Sequence, residues 1–205
     1  VKVNNFQSSD DGGAFYTSGH TVLKNSTFSN NKSTASGYSG GAIASKGFAA
    51  TLEVTNSRFK GNETLYAGTG NVGGEGGAFY FYQPSAAAQF IFKNNYFEEN
   101  KAVETINSGS AKLADGGAVA LFNVVQGTNV LFEGNTFRKN IAGDDGGAIL
   151  IQTNSNISSG IQFKNNTFFQ NKALGKDYSA NSGGAIQIYA NGSPLDGRTA
   201  AVDYV

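Results

Sequence analysis

The chain has 205 residues, with 15 basic and 15 acidic side chains, one histidine and no cysteine. A net charge of zero with both signs interspersed excludes a nucleic-acid footprint or a polybasic membrane patch, and the lack of cysteine excludes disulfides as the source of stability. No apolar run approaches the length that spans a bilayer, and no signal segment is recognised at Val1.

Glycine is abundant, at 28 residues, yet 12% of the chain is aromatic and sits at fixed offsets, which argues for a packed core over a disordered linker. Val1 to Ser9 reads as the tail of one repeat, with Val1, Val3 and Phe6 apolar. From there two motifs alternate strictly. Gly-Gly-Ala begins at Gly12, Gly40, Gly76, Gly116, Gly146 and Gly183, and Phe-x-x-Asn begins at Phe28, Phe59, Phe97, Phe137 and Phe168. The chain is therefore a repeat array, in which length counts rungs and not domains.

Aligned on the motif Phe, the residues three after it are Asn31, Asn62, Asn100, Asn140 and Asn171, and those three before it are Asn25, Asn56, Asn94, Gly134 and Asn165. Five before it stand Leu23, Val54, Phe92, Phe132 and Phe163, and seven before it Thr21, Leu52, Phe90, Val130 and Ile161. Each Gly-Gly-Ala run adds Phe15, Ile43, Phe79, Val119, Ile149 and Ile186 as its fourth residue and Thr17, Ser45, Phe81, Leu121, Ile151 and Ile188 as its sixth. This alternation is the period of strands with one buried face. Spacing between Gly-Gly pairs varies, and the variation falls in Ser-, Gly- and Asn-rich stretches such as Leu65 to Glu75, Gln83 to Gln89, Val103 to Asp115 and Thr153 to Gly160, as loops allow.

A parallel β-helix of five to six rungs with variable loop insertions, one segment over residues 1–205, meets these constraints. Inward columns stack into a continuous core, Asn side chains serve the turns and form amide ladders between rungs, and Gly-Gly turns a sharp corner. Both ends fall within the repeat, so the expectation is a piece of a larger surface protein.

The alternation of Gly-Gly-Ala-Ile with Phe-x-x-Asn over Gly12 to Ile188 resembles the repeat passenger domain of the chlamydial polymorphic outer membrane proteins. The resemblance implies a right-handed β-helix displayed at the cell surface, outer membrane or extracellular space as an autotransporter passenger, adhering to a host receptor or glycan. It carries adhesion over to Gly40, Gly41, Ala42 and Ile43, to Gly146, Gly147, Ala148 and Ile149, and to Gly183, Gly184, Ala185 and Ile186. The matching Phe-x-x-Asn pairs are Phe28 with Asn31, Phe59 with Asn62, Phe97 with Asn100, Phe137 with Asn140 and Phe168 with Asn171. Membrane attachment would come only through regions outside this chain, and end-to-end self-association is a possible contact of the open helix ends.

The residues themselves offer further candidates. Tyr80 and Tyr82 alternate with Phe79 and Phe81, so the pair is expected outward as a binding patch, with Tyr16 and Tyr189 at related positions; tyrosine suits interfaces and sugar stacking. Before each Gly-Gly stand Asp11, Ser39, Glu75, Asp115, Asp145 and Ser182, with Asp10 and Asp144 doubling two copies. Such a stripe would hold Ca²⁺ only if ligands converged, and without the glycine–aspartate pattern of calcium-binding β-rolls the carboxylates are expected to accept backbone hydrogen bonds at the turn. No metal or cofactor is expected.

An enzyme reading would use paired carboxylates such as Asp10 with Asp11 or Asp144 with Asp145, or His20, with Arg58, Arg138 and Arg198 as scattered cations. No rung carries a clear catalytic singularity, so the expectation is no catalysis, with a carbohydrate-binding or polysaccharide-degrading β-helix as the alternative. Lysine stripes at Lys24, Lys93 and Lys164 and at Lys32, Lys101 and Lys172 are interrupted by other residues and suit a solvated face. Asn-x-Ser/Thr triplets begin at Asn25, Asn31, Asn62, Asn156, Asn165 and Asn191, and the ladder members Asn31 and Asn62 are expected to be too packed for modification.

Overall fold

The structure is a computed structural model describing residues 1–34, 39–66, 74–104, 114–154, 160–175 and 183–190. Strands in each turn of chain are too short to bury an apolar face alone, so each finds its partner in the equivalent strand of the next rung. The result is four parallel sheets of six, six, six and five strands, wrapped as a β-helix. Going round one rung, a Gly-Gly-Ala strand such as Phe79–Tyr82 leads to a second strand, Gln89–Lys93. The short Phe strand Tyr96–Glu98 and the post-Asn strand Lys101–Glu104 complete the turn.

Register is the one the motif columns require. Phe28 pairs with Phe59, Phe59 with Phe97, Phe97 with Phe137 and Phe137 with Phe168. These rings stack with centroids 4.6 to 5.2 Å apart and nearly parallel planes. A second stack, Phe92–Phe132–Phe163, runs beside it. Phe79 from the Gly-Gly-Ala sheet meets both stacks edge-on, at Phe59 and Phe92, and Phe81 meets Phe90 in the same way, an arrangement that ring quadrupoles favour.

The corners explain the asparagines. Asn31, Asn62, Asn100, Asn140 and Asn171 form the expected amide ladder: Asn62 N–H and Nδ2 both donate to Asn100 Oδ1 at 3.1 and 3.0 Å, and Nδ2 also donates to the Phe28 carbonyl at 3.0 Å. The same pattern links Asn31 to Asn62, Asn100 to Asn140 and Asn140 to Asn171. A second ladder runs two residues before each Phe, through Ser26, Ser57, Asn95, Asn135 and Asn166.

The column three before Phe does not join either ladder. Asn25, Asn56, Asn94, Gly134 and Asn165 adopt φ between 49° and 65°, the left-handed region that Asn and Gly tolerate. Two residues after each Phe, where identity varies, the conformation is still left-handed: Asn30, Gly61, Glu99, Lys139 and Gln170 have φ of 54° to 62°. Each Phe strand thus lies between two copies of one corner, a left-handed residue followed by a buried ladder residue.

At the glycine corner the two glycines have different reasons. Gly40, Gly76 and Gly116 have φ of 65° to 76°, whereas a Cβ on the second glycine, such as Gly77, would land on the Gly117 carbonyl and the Lys101 backbone. Of the predicted insertion stretches, Gln83 to Gln89 is described, whereas Leu65 to Glu75, Val103 to Asp115 and Thr153 to Gly160 lie partly outside the described residues and Asn156, Ser182, Asn191 and Arg198 lie outside them.

Replacing Asn100 with Ala leaves the Asn62 backbone N–H and one Asn62 Nδ2 donor without their acceptor and removes the Nδ2 donor from the Phe59 carbonyl, while Asn140 Oδ1 keeps only the backbone N–H of residue 100. A loss of at least about 3 kcal/mol is expected, at about 1–3 kcal/mol for each unsatisfied buried group, measurable by denaturant unfolding. Asn94→Ala, at an exposed left-handed corner, is expected to cost about 1–2 kcal/mol.

Candidate functional site

With the interior filled by repeated packing, chemistry is confined to outward side chains. The outer face of the Gly-Gly-Ala sheet carries most of the tyrosines singled out above. Tyr80 does point away from the lumen, but it is 1% exposed and forms a second apolar cluster with Ala44 and Ala120. Its assignment to an exposed patch is therefore corrected: outward from the tube is not outward to solvent, because this face carries a layer of its own. Tyr82 and Phe122 are half-buried against that cluster, and Tyr80 stacks on Tyr82 at 6.4 Å.

Tyr82 lies in register with Lys46 on one side and Phe122 on the other, and Gln152 pairs with Tyr189 further along the same sheet. Lys46 Nζ sits 5.7 Å from the Tyr82 ring centroid, and the Lys46 backbone N–H donates to the Tyr16 hydroxyl at 3.2 Å. Tyr16 is 50% exposed. Gln152 Nε2 donates to the Tyr189 hydroxyl at 3.1 Å. Tyr82, Phe122 and Tyr189 thus mark an aromatic strip across rungs, broken by Lys46 and Gln152, with Tyr80 as its floor, and Tyr16, in register with Ala44 in the Tyr80 column, flanks it.

The residues before Gly-Gly form a carboxylate ladder at one end of this sheet. Asp115 N–H donates to Glu75 Oε2 and Asp145 N–H to Asp115 Oδ1, each at 3.0 Å. The acceptor role expected at the turn is present, but the donor is the equivalent residue of the next rung and not the glycines of the same turn. Asp115, Asp144 and Asp145 bring carboxylate oxygens within 4.8 Å of one another, the one such trio among the described residues. Oxygen-only donors of this kind suit a hard cation. Burial first, then the charges of Asp115, Glu75 and Asp145, hold the Tyr189 phenol well above its ordinary range. At the other end of the strip, burial and then Asp10 push the Asp11 carboxyl up to about 6, against the pull of Lys46.

The outer face of the Phe sheet gathers cations that look scattered in the sequence. Glu98, in register with Lys60 and Arg138, receives Arg58 Nη2 at 2.7 Å and Lys60 Nζ at 3.2 Å, with Arg138 Nη1 at 3.7 Å. The Arg58 hydrogen bond outweighs burial and draws the Glu98 carboxyl below its usual range. Position parity around Phe was the available signal, since residues one before and one after it share the outer face in adjacent rungs.

The other candidates stand apart. His20 is exposed beyond Phe15–Tyr16. Lys24, Lys32 and Lys93 each meet a carboxylate of the next rung, Glu53, Glu63 and Glu133, at 2.9 to 3.5 Å. Asn31 and Asn62 are buried in the ladder, whereas Asn25 and Asn165 are exposed corners. On the sheet preceding the Phe strands, Gln89, Asn129 and Gln162 surround a shallow depression of about 220 Å³ that also touches Ile91 and Leu131.

A family model described as "Right handed beta helix region" matches residues 1–199. A search of curated proteins and a search of solved structures each returned no match.

Two titrations follow from the strip's ends. Asp11, raised in the fold, contributes stability that is fully present below the ordinary Asp value of about 3.9 and is lost as pH rises through about 6. Melting temperatures across that window should fall for the unmodified chain relative to Asp11→Asn. Tyr189, also raised, loses its contribution as pH climbs above the ordinary tyrosine value of about 10. Ultraviolet titration should show a late-ionising phenol component that loses one tyrosine's amplitude in Tyr189→Phe.

Proposed function

We propose, on the premise that the chain belongs to the right-handed β-helix family, that it is an adhesive segment displayed at a cell surface, where it binds a host receptor or glycan and performs no catalysis. The observation that carries this reading is the aromatic strip of Tyr82, Phe122 and Tyr189 along the Gly-Gly-Ala sheet. Half-buried aromatics backed by an apolar layer present rigid contact area at little entropic cost, which is what anchors an interface or a sugar ring. Lys46 and Gln152 add donors along the same track. The resemblance of the two alternating motifs to autotransporter passenger repeats points the same way.

Adhesion through the strip needs no end-to-end assembly. Among the described residues the amide ladder runs from Asn31 to Asn171, and the Phe6 N–H donates to Asn31 Oδ1. The alternative, a carbohydrate-binding module, is favoured by the depression ringed by Gln89, Asn129 and Gln162, where amides flank apolar side chains as in sugar sites.

Beads coated with the chain should adhere to host cells, and the Tyr82→Ser, Phe122→Ser pair should reduce adhesion several-fold while Tyr80 is left in place to preserve the underlying layer. Unchanged adhesion by this folded variant would overturn the strip as the contact surface. If binding instead follows Gln89→Ala with Asn129→Ala, the depression is the site.

A further inference from the structure

We infer that the outer face of the Phe sheet holds an oxyanion site, formed by Arg58, Lys60 and Arg138 around Glu98, that takes a sulfate or carboxylate group borne on an acidic saccharide. This site is separated from the aromatic strip by a sheet on either side, so it stands independently of the adhesive reading.

Lys24, Lys32 and Lys93 each engage one carboxylate, the pattern of a solvated sheet. Glu98 is shared by three cations drawn from the rungs on both sides. Its side chain is 8% exposed, while those of Arg58, Lys60 and Arg138 remain 40 to 50% exposed. The carboxylate therefore lies beneath a layer of positive heads that face solvent. Lys60 also reaches Glu99 at 3.5 Å, and Lys139 follows Arg138 at the corner. The four cations outnumber the two carboxylates, leaving a positive excess on this patch.

The cations are also held in place. Arg58 lies over the Tyr96 ring at 5.3 Å and Arg138 over the Phe169 ring at 5.9 Å. A guanidinium fixed against a ring keeps its edge donors available in a fork that fits two oxygens of a carboxylate or sulfate. Since Glu98 and the rings already order these long side chains, an incoming oxyanion pays less of the usual ordering entropy. Phe169 is 51% exposed, and Thr136 and Thr167 occupy the same outer face. Apolar ring surface and uncharged hydroxyls beside a cation cluster complement a saccharide better than an acidic peptide.

The test uses the full chain and a sulfated heparin tetrasaccharide at low ionic strength, with backbone amide shifts followed by NMR and affinity by calorimetry. Shifts are expected to centre on Arg58, Lys60 and Arg138, with affinity falling as salt is raised. Arg58→Gln with Arg138→Gln should weaken binding at least about tenfold, whereas Lys24→Gln should leave it unchanged. Thermal melts establish that the variants are folded. Should the double variant not fold, the wild-type shift map alone decides. Shifts centred elsewhere, equal binding by a folded double variant, or no binding by the wild type would overturn the site. Equal affinity for inorganic sulfate or for polyglutamate would overturn the saccharide assignment.

Discussion

The fold depends on one constraint: the same buried amide must face the same buried amide at every rung. Asn62 hands two donors to Asn100 Oδ1 and returns its remaining Nδ2 donor to the Phe28 carbonyl, so the ladder is satisfied only in one register. A slip of one residue would leave buried donors unpaired at every rung and turn the Phe column outward. The phenylalanine stack supplies much of the burial, but aromatic rings tolerate sliding in a way that directed amides do not. Register is thus fixed at the corners and merely filled in by the core.

That division accounts for what could be read from the chain alone. The inward columns were legible because apolar identity repeats at fixed offsets, and burial of Phe79, Phe92, Phe97 and Phe137 follows. The ladder three residues after Phe was legible because it is Asn in every copy. Its twin two residues before Phe was hidden by Ser26 and Ser57, whose shorter side chains bond back to the carbonyls of Lys24 and Thr55. The left-handed corner two residues after Phe was hidden for the opposite reason. It is a backbone requirement that Glu99, Lys139 and Gln170 meet at a conformational cost, so no residue type marks it.

The limits of alternation show most clearly at Tyr80. Period-two patterning says which side chains leave the lumen, and it places Tyr80 and Tyr82 together on the outer side. It carries no information on whether that side is covered. Ala44 and Ala120 flank Tyr80 in adjacent rungs, and two small residues beside one large ring make a site into which the ring packs flat. The same two alanines are what an exposed strand would have little reason to choose. A column read across rungs therefore says more about cover than a strand read along its length.

Reading across rungs also explains why binding chemistry is difficult to find in the linear sequence. Arg58, Glu98 and Arg138 are each 40 residues from the next, yet the parallel register sets them on neighbouring strands, about 4.8 Å apart per step. Repetition empties the interior of singular chemistry and makes every outward position a potential neighbour of its counterparts above and below. Differences between rungs at those positions, harmless to the core, are where recognition can be built. An acidic residue flanked by two basic ones becomes an ordered cation layer, and a tyrosine flanked by two alanines becomes the floor beneath an aromatic strip.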